Sequence, residues 1–315
     1  MTTTPGPDSQ PGQTTPDGGK EAQAAPSLVT CLSSIPSWLR TKWCWFLLAV
    51  IAILIIFTLI PLKVFDQFQL IIPLDLHSPF NMWISLLGLI FISLISISWG
   101  ITGRLGGFLI DNRKKMSLSR FQISLWTFIV LSALFTIALY NIGIQYSNQA
   151  SITDALSISV PAELWVLMGI SVTSLVGSKL ILNSQDSIRA PLSLRTQAED
   201  YFFSRYSQPK TRLNFDSIVH KNTCSDDARF ANIFMGDQVG DCMTIDIGKV
   251  QMFFFTIILV LTYSVAIASI FLSPLNGKMI GSMPAFSEGM LFLIGISHAG
   301  YLTYKAQNNT SKLSA

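Results

Sequence analysis

The sequence predicts an all-α integral membrane protein with six transmembrane helices, and three observations carry that reading. Half of its 315 residues are apolar, only 12% are charged, and its mean hydropathy is +0.48, whereas a soluble domain carries about 25% charged residues. The apolar residues gather in six blocks of roughly twenty, the length a helix needs to cross about 30 Å of hydrocarbon. The basic residues fall almost entirely on one side of those blocks. An ordinary water-soluble enzyme, a disulfide scaffold and a wholly disordered chain are excluded together. The net charge of +3 is too small to suggest a nucleic-acid partner.

Residues 1–38 are rich in Thr, Pro, Gly, Ser and Gln and contain six prolines. Such a composition cannot bury enough apolar surface to offset chain entropy, so the segment reads as a disordered cytoplasmic tail, with no PxxP cluster or charge block to mark a partner motif. The first apolar run begins too late for a secretory leader and reads as an uncleaved membrane helix. Four cysteines (Cys31, Cys44, Cys224, Cys242) are few and widely spaced and are expected as reduced thiols on the cytoplasmic side.

The six apolar segments are 43–61, 82–101, 121–143, 162–182, 250–273 and 286–304. The sixth is the weakest, because it carries Glu288, His298 and several small residues. Arg40 and Lys42, the group Arg104, Arg113, Lys114, Lys115 and Arg120, eight more basic residues in 184–249, and Lys179, Lys305 and Lys312 share one side. Only Lys63 and Lys278 of the 21 basic residues fall on the other, with Asp66, Asp75, Asp154, Glu163 and Glu288. The positive-inside rule then places both termini in the cytoplasm, and the expected location is a bacterial plasma (inner) membrane. Trp43, Trp45, Trp83, Trp99 and Trp165 lie near segment ends, the headgroup-level position that favours an amphipathic ring.

Self-comparison finds a repeat. LMGIS at 167–171 matches LIGIS at 293–297, and in that register Lys179 falls on Lys305. Upstream, RFQISLWTFI at 120–129 matches KVQMFFFTII at 249–258, pairing Arg120 with Lys249, Gln122 with Gln251 and Thr127 with Thr256. Each copy holds two helices, so the copies are expected to be parallel about an axis along the membrane normal. The chain thus divides into the tail 1–38, two leading helices in 39–116, a first unit 117–183, a cytoplasmic insert 184–244, and a second unit with a short tail in 245–315.

The segments SLSRFQISLWT at 117–127 with LWVLMGIS at 164–171, and IDIGKVQMFFFT at 245–256 with MLFLIGISHAGYL at 290–302, resemble a family of bacterial multi-pass membrane proteins. That family carries a basic-x-Gln helix start, often after Ser-Leu, and a later Leu-x-x-x-Gly-Ile-Ser helix. The second copy departs from the pattern, with Asp246-Ile247-Gly248 where the first has Ser-Leu-Ser. The resemblance covers about 121–182 and 236–306, under half of the chain, and it implies architecture and no catalytic residue, the family having no established activity.

Candidate residues follow from the repeat. Gly169, Thr173 and Gly177, spaced by four, are matched by Gly295, Ala299 and Thr303. Small residues let helix backbones approach in lipid, so the fourth and sixth segments are expected at the closely packed centre, against each other or each against the helix before it. His298 is the ionisable group well inside a segment; an ion-linked role competes with a neutral imidazole bonded to a neighbouring helix. Gln122 and Gln251 lie where two helices leave the cytoplasm, and fixing register competes with lining a pore. Glu163 and Glu288 begin the fourth and sixth segments, where capping of the helix dipole competes with an outer cation-attracting pair.

No Walker motif, GxSxG elbow, HExxH or CxxC pair occurs. Gly103, Arg104, Leu105, Gly106 and Gly107 read as a hinge at the membrane surface. Asp237, Asp241 and Asp246 lack the spacing of a calcium loop, and His220, Cys224 and Cys242 lack that of a zinc site. Neither a metal nor a cofactor is expected. The functional expectation is a non-enzymatic membrane scaffold, anchor or sensor, with the lipid bilayer around it and the insert or tail facing a cytoplasmic protein; association with further copies of itself is open. The alternative is a small-ion channel or transporter using the interface between the units.

Overall fold

The structure, a computed structural model, describes residues 45–46, 48–55, 78–148 and 152–307. Its long helices are α1 (Pro79–Thr102), α2 (Leu118–Ser147), α3 (Ala162–Gln185), α4 (Leu192–Tyr206), α5 (Ile247–Leu272) and α6 (Glu288–Ala306). Four of them, α1, α2, α3 and α5, are long and apolar enough to span a membrane. The described residues of the first apolar segment are helical, and the rest of 43–61 lies outside the described residues, as does the tail 1–38.

Local chemistry sets the helix ends. Pro79 opens α1, where its missing N–H costs nothing. Gly103 closes it in the left-handed region, φ 72°, returning its N–H to Trp99 O. Asp246 caps α5 by accepting from Lys249 N at 3.1 Å. Glu288 sits in the first turn of α6 and Lys305 in its last, each favourable to the helix dipole.

Within the bundle α1 packs on α2, α2 on α3 and α5, α5 on α6, and α3 on α6. The most enclosed span is α2, 44% buried against 28% for α3 and 17% for α1. The centre is therefore the third apolar segment, not the fourth and sixth as the small residues suggested, although α3 and α6 do pack on each other. Between the spans lies one apolar core, built on Trp83, Trp126, Ile137, Leu164, Leu167, Tyr263, Ile267, Phe271 and Phe286. Tyr263 and Phe286 stack with centroids 4.7 Å apart, and Trp126 meets Phe286 edge-on at 5.9 Å. Trp83 belongs to this core, not to an interfacial belt. It is 4% exposed, its Nε1–H donates to Ser132 Oγ at 3.0 Å, and it packs edge-on against Phe271. Trp165 stays exposed on α3. Outward-facing Ile, Leu, Val and Phe residues cover the spans, a surface suited to lipid and costly in water.

At the far end, away from the insert, the loops before α3 and α6 join. Ser159 N donates to Gly281 O at 2.8 Å and Met283 N to Ser159 O at 3.0 Å. Asn141 on α2 fastens both loops: its Nδ2 donates to Ala155 O and Ile280 O, and its Oδ1 accepts from Ile280 N at 2.9 Å. A buried amide that meets three backbone groups fixes loop position at little desolvation cost.

The insert has its own small core, in which α4 buries Ala198 and Phe202 against Phe215, Met235, Val239 and Cys242. A short antiparallel pair, β1 (Leu213–Asn214) with β2 (Lys221–Asn222), turns the chain back.

Candidate functional site

The most elaborate polar structure is a buried ion cluster where the insert meets the helix ends. It begins with the turn after α1. Asp111 Oδ1 accepts from Arg113 N at 2.9 Å, and Lys114 adopts φ 59°, the left-handed position that such a tight turn needs. That residue turns the chain so that Arg113 and Lys115 enter the interface. Gly107 permits the approach of this loop to α1, since a Cβ there would overlap the Thr102 hydroxyl. Arg104 fastens the loop to the insert, donating from Nη1 to Ser225 O at 2.6 Å and Ala228 O at 2.7 Å.

Asp237 of the insert is the centre. Its Oδ1 accepts from Arg113 Nη1 at 2.7 Å. Its Oδ2 accepts from Lys249 Nζ of α5 at 3.0 Å and Lys305 Nζ of α6 at 2.6 Å. Lys305 Nζ also donates to Ser178 Oγ of α3 at 2.5 Å, and Lys249 Nζ to Met235 O at 2.6 Å. One carboxylate thus joins the turn, α3, α5 and α6 to the insert. Gln238 adds neutral bonds beside it, donating to Gln185 Oε1 at 3.2 Å and Gln307 O at 2.8 Å. Burial alone would raise the pKa of Asp237, but Arg113, Lys249, Lys305 and Lys115 outweigh it and hold the carboxyl well below the usual carboxylate range.

Lys115 is 1% exposed and lies 3.1 Å from His220 Nδ1, which accepts from it, and 3.3 Å from Gly236 O. Burial and the neighbouring Arg113 charge pull the Lys115 pKa down to about 8. Burial and the Lys115 and Arg113 charges push His220 well below its ordinary value, so its imidazole is neutral, packed between Phe202 and Phe215. Burial lifts the Cys242 thiol to about 12, which keeps it protonated and unreactive.

The acidic loop does structural work: Asp241 Oδ1 accepts from Gln238 N at 2.8 Å, and Asp246 caps α5. Gly236 is needed there because a Cβ would overlap the Asp241 carboxylate. Among the described residues no group of three or more His, Cys, Asp or Glu could hold a metal ion. Cys224 is disulfide-bonded, which corrects the expectation of reduced thiols at that position; its partner lies outside the described residues.

The sequence candidates are scattered by comparison. Gln122 is 1% exposed on α2; its Nε2 donates to Thr256 Oγ1 at 2.8 Å and lies 3.4 Å from His298 Nε2. Gln122 Oε1 and His298 Nδ1 have no partner, and a flipped amide would instead accept from a His298 Nε2–H. Gln251 is exposed and lines a hollow of about 540 Å³ between α5 and α6 with Ser297, Gly300 and Tyr304. Gly169, Thr173, Ala299 and Thr303 are exposed. A Cβ at Gly169 would meet nothing within 4 Å, whereas one at Gly177 would touch Leu302 at 3.4 Å and one at Gly295 would touch Ile170 at 3.9 Å. The buried stripe of α3 is Leu164, Leu167, Ser171, Ser174, Ser178 and Leu182, displaced from the glycines, and its Ser178 accepts from Lys305 of α6. Glu163 and Glu288 occupy the first turns of α3 and α6.

Sequence reasoning missed Asp237, Arg113, Lys115 and His220 as a group. Its available signal was weak: a basic run, Arg113 to Lys115, in a short loop, and a lysine pair, Lys249 and Lys305, at matched helix ends. Comparison with protein-family models, curated proteins and solved structures finds no match to this chain.

Proposed function

We propose that the chain is a non-enzymatic multi-pass membrane protein, a scaffold that holds its insert rigidly at the membrane surface for a cytoplasmic partner. The observation that carries this reading is the aromatic filling of the bundle. Trp83, Trp126, Tyr263, Phe271 and Phe286 occupy the space between the spans where a conduction path would run, and close packing of that kind leaves no room for hydrated ions. The Asp237 cluster supports it further, because an insert joined by buried charge to four other elements presents one fixed surface.

The finer topology belongs to the same proposal. Segment 43–61 and the 19-residue α6 complete six spans, with both termini in the cytoplasm of a bacterial cell and the membership suggested by the duplicated motifs. Supporting the orientation is the one-sided distribution of Lys and Arg. Supporting a parallel repeat is the mutual packing of α2 with α3 and of α5 with α6, with contacts between α2 and α5 and between α3 and α6. A second reading, small-ion passage between the units, draws on the buried Gln122, Thr256 and His298 group. Reconstitution into vesicles decides between them. The scaffold reading expects proton, potassium and chloride fluxes no greater than in empty vesicles; flux abolished by His298→Leu would replace it with the second reading.

A further inference from the structure

Arg113, Lys115, Lys249 and Lys305 bring four positive charges into the interface, while Asp111 and Asp237 bring two negative ones and His220 is neutral. Asp241, which accepts from Gln238 N, adds a third carboxylate beside them and still leaves one positive charge in surplus. Buried charge in surplus is expensive unless a counter-ion lies beside it. Beside this cluster is a cavity of about 50 Å³ between the 111–117 turn and the last turns of α3.

Its walls are rich in unused donors. Each terminal nitrogen of Arg113 makes a single bond to a carboxylate and keeps a second N–H. Ser178 Oγ accepts from Lys305, which leaves its own proton to donate into the cavity it lines. Ser117, at the N-cap position of α2, lines the cavity and makes no side-chain cap bond, which leaves its hydroxyl free to donate there. Lys179 and Asn183 complete the ring. The acidic wall residue, Asp111, is occupied by the turn and Arg113.

We propose that this cavity binds a phosphate group, supplied by an anionic phospholipid headgroup or by inorganic phosphate. A tetrahedral oxyanion matches the surplus charge and the convergent Arg, Lys and hydroxyl donors. Lys179, at the end of α3, closes the ring on the first unit and gives the otherwise unpaired partner of Lys305 a role.

The test uses the full chain in neutral detergent, washed free of lipid. One arm titrates inorganic phosphate at constant ionic strength set with chloride and reads thermal unfolding. The other reads retention of phosphatidylglycerol against diacylglycerol, which lacks the phosphate, by native mass spectrometry. Stabilisation in the first arm assigns free phosphate; selective retention in the second alone assigns the headgroup. In either case Lys179→Gln and Ser117→Ala weaken the effect, the lysine variant by about tenfold as one lost charge-assisted bond implies. Lys278→Gln, exposed at the far end, leaves it unchanged. Silence in both arms overturns the proposal, as does an effect untouched by Lys179→Gln and Ser117→Ala, or reduced equally by Lys278→Gln.

Discussion

The helix pairs α2–α3 and α5–α6 share short sequence motifs and occupy different environments. Lys249 and Lys305 of the second pair are buried on Asp237. Their counterparts are not: Arg120 reaches Phe108 O at 3.4 Å, and Lys179 stays partly exposed. The glutamines reverse the pattern, with Gln122 bonded inside the bundle and Gln251 exposed. Like residues in like register thus take on unlike work, because other parts of the chain reach each pair unequally. The insert leaves from the end of α3 and folds back so that Asp237 lands on the lysines of α5 and α6. The leading helix α1 packs chiefly on α2 and only in part on α5, where Trp83 meets Phe271, so it encloses the first pair more than the second.

The largest expected effect tests the charge half of this contrast. Asp237→Asn strands Arg113, Lys249 and Lys305 without their shared counter-charge, and loss of one partner from a buried ion group costs about 3–5 kcal/mol. A large fall in the midpoint of thermal unfolding in detergent is expected, with Lys179→Met near wild type. The pH response follows the same residue. Asp237 has a depressed folded-state pKa, so its contribution is present above the unfolded value near 3.8 and is lost as pH falls through the folded value. The variant should therefore lose that acid limb. An Asp237→Asn protein as stable as wild type would remove the cluster from any account of how the insert is held.

Gln122→Leu against Gln251→Leu tests the polar half. Gln122→Leu removes a buried interhelical bond and leaves Thr256 and His298 without it, for a cost of about 1 kcal/mol. Gln251→Leu places an apolar side chain on an exposed face and should be neutral or slightly stabilising. Equal losses from the two would mean that the pairs are more symmetric than their packing.

The smallest effect sharpens the placement of the small residues. Gly169→Leu projects into open space and should leave thermal stability within about 0.5 kcal/mol of wild type. Gly295→Leu sets its Cβ at ordinary contact distance from Ile170 and its branch against that side chain, and should cost about 1 kcal/mol. The glycines are matched in sequence, yet they should respond unequally. Matching losses at both would put Gly169 back into an interface.

By itself the sequence determined the helical class, the presence of helices long and apolar enough to cross a membrane, and most helix limits to within a few residues. Each depends on composition or hydrophobic length. It also brought out Gln122 and His298, since a polar group within an apolar run needs a partner wherever the chain goes. Tertiary structure alone decided which tryptophans are core, which face of α3 packs, and that Asp237 is the centre of a cluster. Trp83 looks like an interfacial anchor until α5 and Ser132 enclose it. The stripe Ser171, Ser174 and Ser178 is as helical in spacing as Gly169, Thr173 and Gly177, and the neighbouring helix selects between them. Asp237, Arg113 and Lys305 are separated by long stretches of chain; their chemistry exists only where the fold brings like charges close enough to need one carboxylate between them.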